Sequence, residues 1–393
     1  MVDVLNTVGL QWATLGNHEF DIPESALKSR LSEGRFTVVI SNVTDAAGAL
    51  FPGTVRTAVV PVTANGRTIR LGLLGVVTDD LKQPWVKYDA PLAAAKAAAT
   101  DLAGRVDALV ALTHLELEDD ARMAEAIPEL DLILGGHDHD NWLVRRGARF
   151  TPIVKADANA RSVAVIELRF PASGRPTVES RLQSVDDTIL PDPDTEAVVR
   201  KWTSTAFDAF RRDGFTPETA VVTLPEALDG REATVRHRPG ALTQIIANAV
   251  RGEANAELGI FNSGSVRIDD ILPPGPVSEY DIIRLMPFGG KVLTVKMRGD
   301  LLARVLDTGL ANEGIGGYLH SSDGVERKPA GWMINGSPLD PTRTYRVGIN
   351  DFLMSGREAN MGFLTRTTPG ISEVEEQRDI RRAVIEALQR TYR

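Results

Sequence analysis

Residues 132–140 read LILGGHDHD, a short apolar run that ends in two glycines and an H-x-H pair, His137 and His139. On an extended segment residues i and i+2 point to the same side, so both imidazoles can face one site. A second apolar run, ALVALTH at residues 108–114, ends in Thr113-His114, and QWATL runs into GNHEFD at residues 16–21. Side chains at the carboxyl ends of neighbouring sheet strands converge on one edge, where α/β ligand sites form. Four of the six histidines, His18, His114, His137 and His139, fall in these three places. Imidazole nitrogens beside carboxamide and carboxylate oxygens suit Zn, Mn, Fe or Ni better than Ca.

Outward from these runs, the first half alternates strand and helix. Residues 36–43, 55–62, 69–77, 108–114, 132–136, 153–156 and 162–170 are rich in Val, Ile and Leu and read as strands. Residues 91–102 and 117–126 read as helices, one Ala-rich and one amphipathic. Residues 186–195 (DDTILPDPDT) read as a linker, and 196–212 as an amphipathic helix. A second mixed block follows, with helices expected at 241–251, 299–310 and 380–389 and strands at 258–261, 291–297 and 344–348. The fold class is therefore α/β (α+β), divided into residues 1–185, a linker and helix at 186–220, and residues 221–393.

Composition narrows the function. With 44 basic and 53 acidic residues the net charge is −9 and no basic run occurs, which argues against a nucleic-acid polymer as partner. No apolar run reaches the ~18 residues of a membrane span. The absence of cysteine excludes disulfides, zinc ribbons and thiol nucleophiles. No basic n-region precedes an apolar h-region near Met1, so no signal peptide is visible.

GNHEFD, Thr113-His114 and GGHDHD resemble, in order, the motifs of the calcineurin-like metallophosphoesterases, and more narrowly the 5′-nucleotidase / 2′,3′-cyclic phosphodiesterase (UDP-sugar hydrolase) family. The second half agrees: residues 261–267 (FNSGSVR), 286–290 (MPFGG) and 350–364 (NDFLMSGREANMGFL) resemble that family's N-G-G-G-I-R, P-F-G-N and N-D-F-x-x-x-G-G-D-G-Y segments. The resemblance implies a layered β-sandwich flanked by helices, followed by a C-terminal α/β nucleotide-binding domain. It implies a metal-dependent phosphoester hydrolase for nucleotides, with a periplasmic or extracellular lean.

By the same resemblance Asn17, His114, His137 and His139 are metal ligands. His18 faces the phosphate as acid or electrostatic stabiliser, and Asp21 hydrogen-bonds it. Phe288 and Phe352 sandwich the base. Arg236 and Arg267 bind phosphate or ribose oxygens, with Arg231 a looser match, and Glu358 stands where the family's aspartate meets the ribose. His237 and His320 lie outside this set and read as surface-loop residues.

Departures from the family pattern also carry expectations. Its D-x-H and G-D metal motifs do not occur before GNHEFD, so the chain reads as N-terminally truncated. Asn17, His114 and His137 are three of four ligands for one ion, and His139 is one of four for the other. Two Zn, Mn or similar ions in the complete family site would become one or none here. Gly290 replaces an asparagine, which removes a base-edge hydrogen bond. The expectation is a 5′-nucleotidase-type or cyclic-nucleotide hydrolase. The alternatives are a non-catalytic nucleotide-binding remnant or a phosphatase for another phosphoester.

Overall fold

The computed structural model describes residues 1–64, 66–79, 83–172 and 174–392. They form two compact units, Met1–Thr203 and Ser204–Arg393. The division falls inside the helix Pro193–Arg212. That helix starts three residues before the sequence expectation. Asp192 explains the early start, because its Oδ1 accepts the Thr195 backbone N–H at 2.8 Å as a cap.

In the first unit, six strands form one sheet in the order Trp142–Arg146, Thr151–Lys155, Leu132–Gly135, Ala108–His114, Arg67–Val77, Thr57–Ala64. The four central strands are parallel and the two edge strands antiparallel. Their runs of Val, Leu and Ile are buried on both faces, as parallel strands require. One face packs on the helices Pro91–Leu102 and Leu117–Ala126, through Leu74, Val76, Ala111, Ile133 and Ile153 against Ala95, Ala99, Leu102 and Met123. On the other face Leu73, Val110, Leu132 and Val154 meet Trp12, Val39, Val55, Ala164, Ile166 and Val178. Those residues come from the three-stranded sheet Trp12–Ala13, Thr37–Val39, Thr54–Val55 and the hairpin Ser162–Arg169/Thr177–Ser184. The result is the expected layered sandwich with helices outside.

The strand expected at residues 36–43 is broken in two. Thr37–Val39 joins one sheet, and Val43–Asp45 pairs with Val86–Tyr88 in another. Between them the buried Asn42 bonds its side chain to the strand Arg67–Val77, donating to Val77 O at 2.8 Å and accepting from Val77 N at 3.1 Å. A side-chain amide has taken the place of ladder hydrogen bonds.

The second unit holds a five-stranded mixed sheet, ordered Leu319–Ser321, Leu258–Asn262, Thr344–Asn350, Lys291–Arg298, Ile371–Asp379. Helices Ala241–Glu253 and Ile380–Thr391 bury Ile246, Val250, Val384 and Leu388 in one cluster. Helix Gly299–Ala311 buries Leu302, Val305 and Leu306 in a second cluster with Leu293, Val295, Val347 and Ile349. Among the described residues no helix is long and apolar enough to cross a membrane.

Candidate active site

In the first unit the register of the parallel sheet aligns the strand ends. Thr113 pairs with Gly135, and Gly135 with Lys155. His114 therefore leaves its strand beside the GGHDHD segment. GNHEFD is a 3-10 turn, Asn17–Asp21. Phe20 anchors that turn. It is fully buried and packs at 5.6 Å on Tyr88, 6.0 Å on Trp85 and 6.3 Å on Phe51. Glu19 closes the turn by accepting the Gly16 N–H at 2.6 Å. Gly16 has no room for a side chain, since a Cβ there would lie 2.8 Å from His114 Cε1.

These contacts bring three of the predicted residues, Asn17, His114 and His137, together. Asn17 is buried, and its Oδ1 accepts from His114 Nε2 at 3.2 Å. The His114 and His137 rings stand edge to face with centroids 5.1 Å apart. Burial pushes the His114 imidazole down to about 4, and the nearby His137, His18, Lys155 and His139 add to the shift. His114 is therefore neutral at pH 7 and able to act as a ligand. His18 lies exposed on the turn, with Nδ1–H donating to Asp21 Oδ2 at 2.7 Å, the predicted pairing. His139 is exposed at the far end of the loop, where its carbonyl accepts the Ala158 N–H at 3.0 Å.

A carboxamide oxygen and two imidazoles from three chain segments fit one divalent ion of the Zn or Mn type by donor chemistry. Among the described residues no three His, Asp or Glu side chains converge to hold an ion on their own. The candidate donors are thus Asn17, His114 and His137.

Sequence reasoning missed the residues around these side chains. His137 Nε2 donates to Glu116 Oε1 at 3.1 Å. Lys155, wholly buried, pairs with Asp138 and lies 3.0 Å from Asp120 Oδ2. Burial raises the Asp120 carboxyl to about 6 against the pull of Lys155. The available signal was a lysine closing the apolar strand TPIVK, beside a glycine-rich strand end.

In the second unit the antiparallel pairing of Val292 with Asn350 puts residues 286–290 and 351–354 at one sheet edge. Phe288 is 67% exposed and Phe352 36% exposed. The Arg267 guanidinium lies 5.9 Å from the Phe288 ring centre and that of Arg357 5.4 Å from Phe352. Arg236 and Arg267 share one carboxylate, Glu232, another partner the sequence reading missed. Arg231 instead grips Asp229 with two nitrogens, at 2.9 and 2.7 Å, which holds that carboxyl down at about 2.

Glu358 is buried. Its Oε2 accepts from Asn262 Nδ2 at 2.7 Å and its Oε1 from the Ala359 N–H at 2.8 Å. Asn350 joins the same network through Asn262 Oδ1 at 2.9 Å. Burial raises the Glu358 carboxyl above its ordinary range, against both hydrogen bonds. His237 is exposed and faces Glu313 at 3.5 Å. His320 corrects the surface-loop expectation. It is 2% exposed on the strand Leu319–Ser321, stacks on Phe261 at 5.3 Å and donates from Nε2 to Val235 O at 2.7 Å.

Residues 219–364 match the family described as 5′-nucleotidase, C-terminal domain. The chain is 24% identical over 388 residues to the uncharacterized metallophosphoesterase YunD of Bacillus subtilis, covering 91% of this chain and 80% of that protein. It is 24% identical over 415 residues to UshA of Yersinia enterocolitica, covering 88% and 72%. In fold it is similar to the 5′-nucleotidase precursor of Thermus thermophilus, at a TM-score of 0.79 and 21% identity over 100% of this chain and 83% of that one. The sulfate thiohydrolase SoxB of the same organism gives 0.70 at 20% identity, over 100% and 72%.

Proposed function

From its place among the 5′-nucleotidase-type metallophosphoesterases, we propose that this chain is a divalent-metal-dependent hydrolase of nucleotide phosphoesters. The observation that carries the reading is the meeting of Asn17, His114 and His137 at one sheet edge, with the His18–Asp21 pair on the adjoining turn. Asn17, His114 and His137 would hold the ion, and His139 would serve a second. When bound, a divalent ion supplies Lewis-acid polarisation of a phosphoryl oxygen and makes water a better nucleophile.

The remaining work falls to this chain's own groups. His18, oriented through Nδ1 by Asp21, presents Nε2 to a phosphoryl oxygen, where it donates a proton or a charge-assisted hydrogen bond. In the second unit Phe288 and Phe352 offer faces on which a base stacks, which tolerates different bases. Arg236 and Arg267 supply planar donor forks for phosphate or ribose oxygens. Glu358, with both oxygens engaged, would act on a ribose by fixing Asn262. A 5′-mononucleotide, a 2′,3′-cyclic nucleotide or a nucleotide sugar suits this set. One fold carries several chemistries, so the substrate is argued from these residues and not from the fold.

The test is product release, followed by chromatography with Mn or Zn added: adenosine and phosphate from 5′-AMP, a ring-opened AMP from 2′,3′-cyclic AMP, UMP and glucose 1-phosphate from UDP-glucose, and glucose and phosphate from glucose 6-phosphate. Release from one or more nucleotides, abolished by chelation, is expected. Nucleotide binding without release under every metal condition makes the chain a binding remnant. Release from glucose 6-phosphate alone makes it a phosphatase of another class.

A further inference from the structure

We infer that Lys155 is a positioning residue of the first unit's site, a buried cation that fixes the segments bearing His114, His137 and His139 in one arrangement. The inference rests on the metal-dependent reading above and adds to it a residue with no counterpart among the ligands. Lys155 closes the strand Thr151–Lys155, all five residues of which are buried. A lysine is almost never fully buried unless paired. Here the side chain is 1% exposed and Asp120 0%.

The partners of its ammonium are specific to the site. Nζ donates to Leu115 O at 2.6 Å, to Gly136 O at 3.0 Å and to the Asp138 carboxylate, and lies 3.0 Å from Asp120 Oδ2. Leu115 directly follows His114. Gly136 directly precedes His137, and Asp138 stands between His137 and His139. One ammonium therefore ties together both histidine-bearing segments and the helix Leu117–Ala126, which carries Asp120. Asp138 Oδ1 adds a second tie, accepting the Leu117 N–H at 3.2 Å.

Two further observations show that the chain is shaped around this contact. His137 and His139 have φ of 81° and 40°, in the left-handed region that side chains disfavour. Such conformations are strained and persist only where the surroundings hold them. A Cβ on Gly135 would lie 2.7 Å from Lys155 Cε and 2.9 Å from Asp120 Oδ2, so the first glycine of GGHDHD makes room for the lysine stem. Burying an ion cluster in place of an apolar side chain brings little stability, so the geometry it enforces is the better account of it. With 1% exposure Lys155 cannot reach a phosphoryl group, so its role is positional.

The test uses Asp138→Asn, which keeps the acceptor for Leu117 N–H and removes the charge that Lys155 holds. A second variant, Lys155→Met with Asp120→Asn, removes opposite charges together and serves where the first fails to fold. Mn titration by calorimetry should show affinity weakened by roughly 10- to 100-fold, the usual loss for a group behind a metal ligand. The imidazole C–H resonances of the six histidines are read in metal-free protein. Those of His137 and His139 should move or broaden, and those of His237 and His320 stay in place. A folded variant with unshifted His137 and His139 resonances, or with Mn affinity within about threefold of the parent, overturns the inference. If the parent protein takes up no Mn, the metal reading fails, and the metal-free resonances still decide the role of Lys155.

Discussion

Gly290 sits against the Asp351 carboxylate so closely that a Cβ at position 290 would lie 2.6 Å from Asp351 Oδ1. Asp351 Oδ2 accepts the Lys291 N–H at 2.8 Å, so this contact joins the loop that presents Phe288 to the turn that presents Phe352. Gly290 also has φ of +97°, which side chains avoid. The Gly290→Ala variant should therefore lose about 1–2 kcal/mol from the backbone alone, read as a lower urea midpoint. Its KM for nucleotides should rise through displacement of Phe288. An unchanged midpoint and KM would show that the two loops are not coupled.

Phe288 separates stability from binding. At 67% exposure it contributes little to the core. Phe288→Ala should leave unfolding within about 0.5 kcal/mol of the parent. Stacking on a base is worth about 1–3 kcal/mol, so nucleotide affinity should fall roughly 5- to 150-fold. Hydrolysis of a phosphoester without a base should be unaffected. Comparing KM for a nucleotide and for p-nitrophenyl phosphate checks both halves.

His320 makes the second unit sensitive to acid. Burial brings its imidazole down to about 4 from 6.5, against the Val235 carbonyl that would favour the charged form. The unfolded chain thus binds a proton between those values and the folded chain does not. Stability contributed by this residue is complete above pH 6.5 and is lost as pH falls towards 4. The loss is about 2 kcal/mol at pH 5 and about 3 kcal/mol in full. Urea midpoints of the parent and of His320→Gln should converge between pH 7 and pH 5. Parallel pH profiles would place His320 in water.

Residues whose signal is local were legible in the sequence. Pro91–Leu102 is a helix at its expected bounds because Pro at the first helical position and a run of alanines fix it without outside help. Ala108–His114 is likewise an apolar run with a polar end. Residues whose state depends on a distant partner were not legible. Lys155 looks like a solvated strand end until register places it against Gly135 and the Asp120 carboxylate. His320 sits in a glycine- and serine-rich stretch that suggests a loop, and pairing with Phe261 on the neighbouring strand buries it. Glu358 was read for its charge, whereas Asn262, 96 residues earlier, decides what that charge touches. Motif order picked out the candidate ligands, and long-range packing decides what surrounds them.

The His18–Asp21 pair bears most directly on the chemistry. His18 is exposed on a turn in which Asn17 and Phe20 are buried. Its ring therefore makes little contribution to packing, and Asp21 fixes its orientation at 2.7 Å. His18→Ala should leave the fold and the metal content intact and cut turnover by roughly 10²- to 10⁴-fold, the range of a positioned acid–base group. Asp21→Asn keeps a hydrogen-bond acceptor but loses the charge beside the ring, and should show a smaller loss of kcat with little change in KM. Metal analysis beside steady-state kinetics distinguishes the roles. Loss of metal in His18→Ala would make His18 a ligand. Unchanged kcat in both variants would remove the pair from the reaction and leave proton transfer to water.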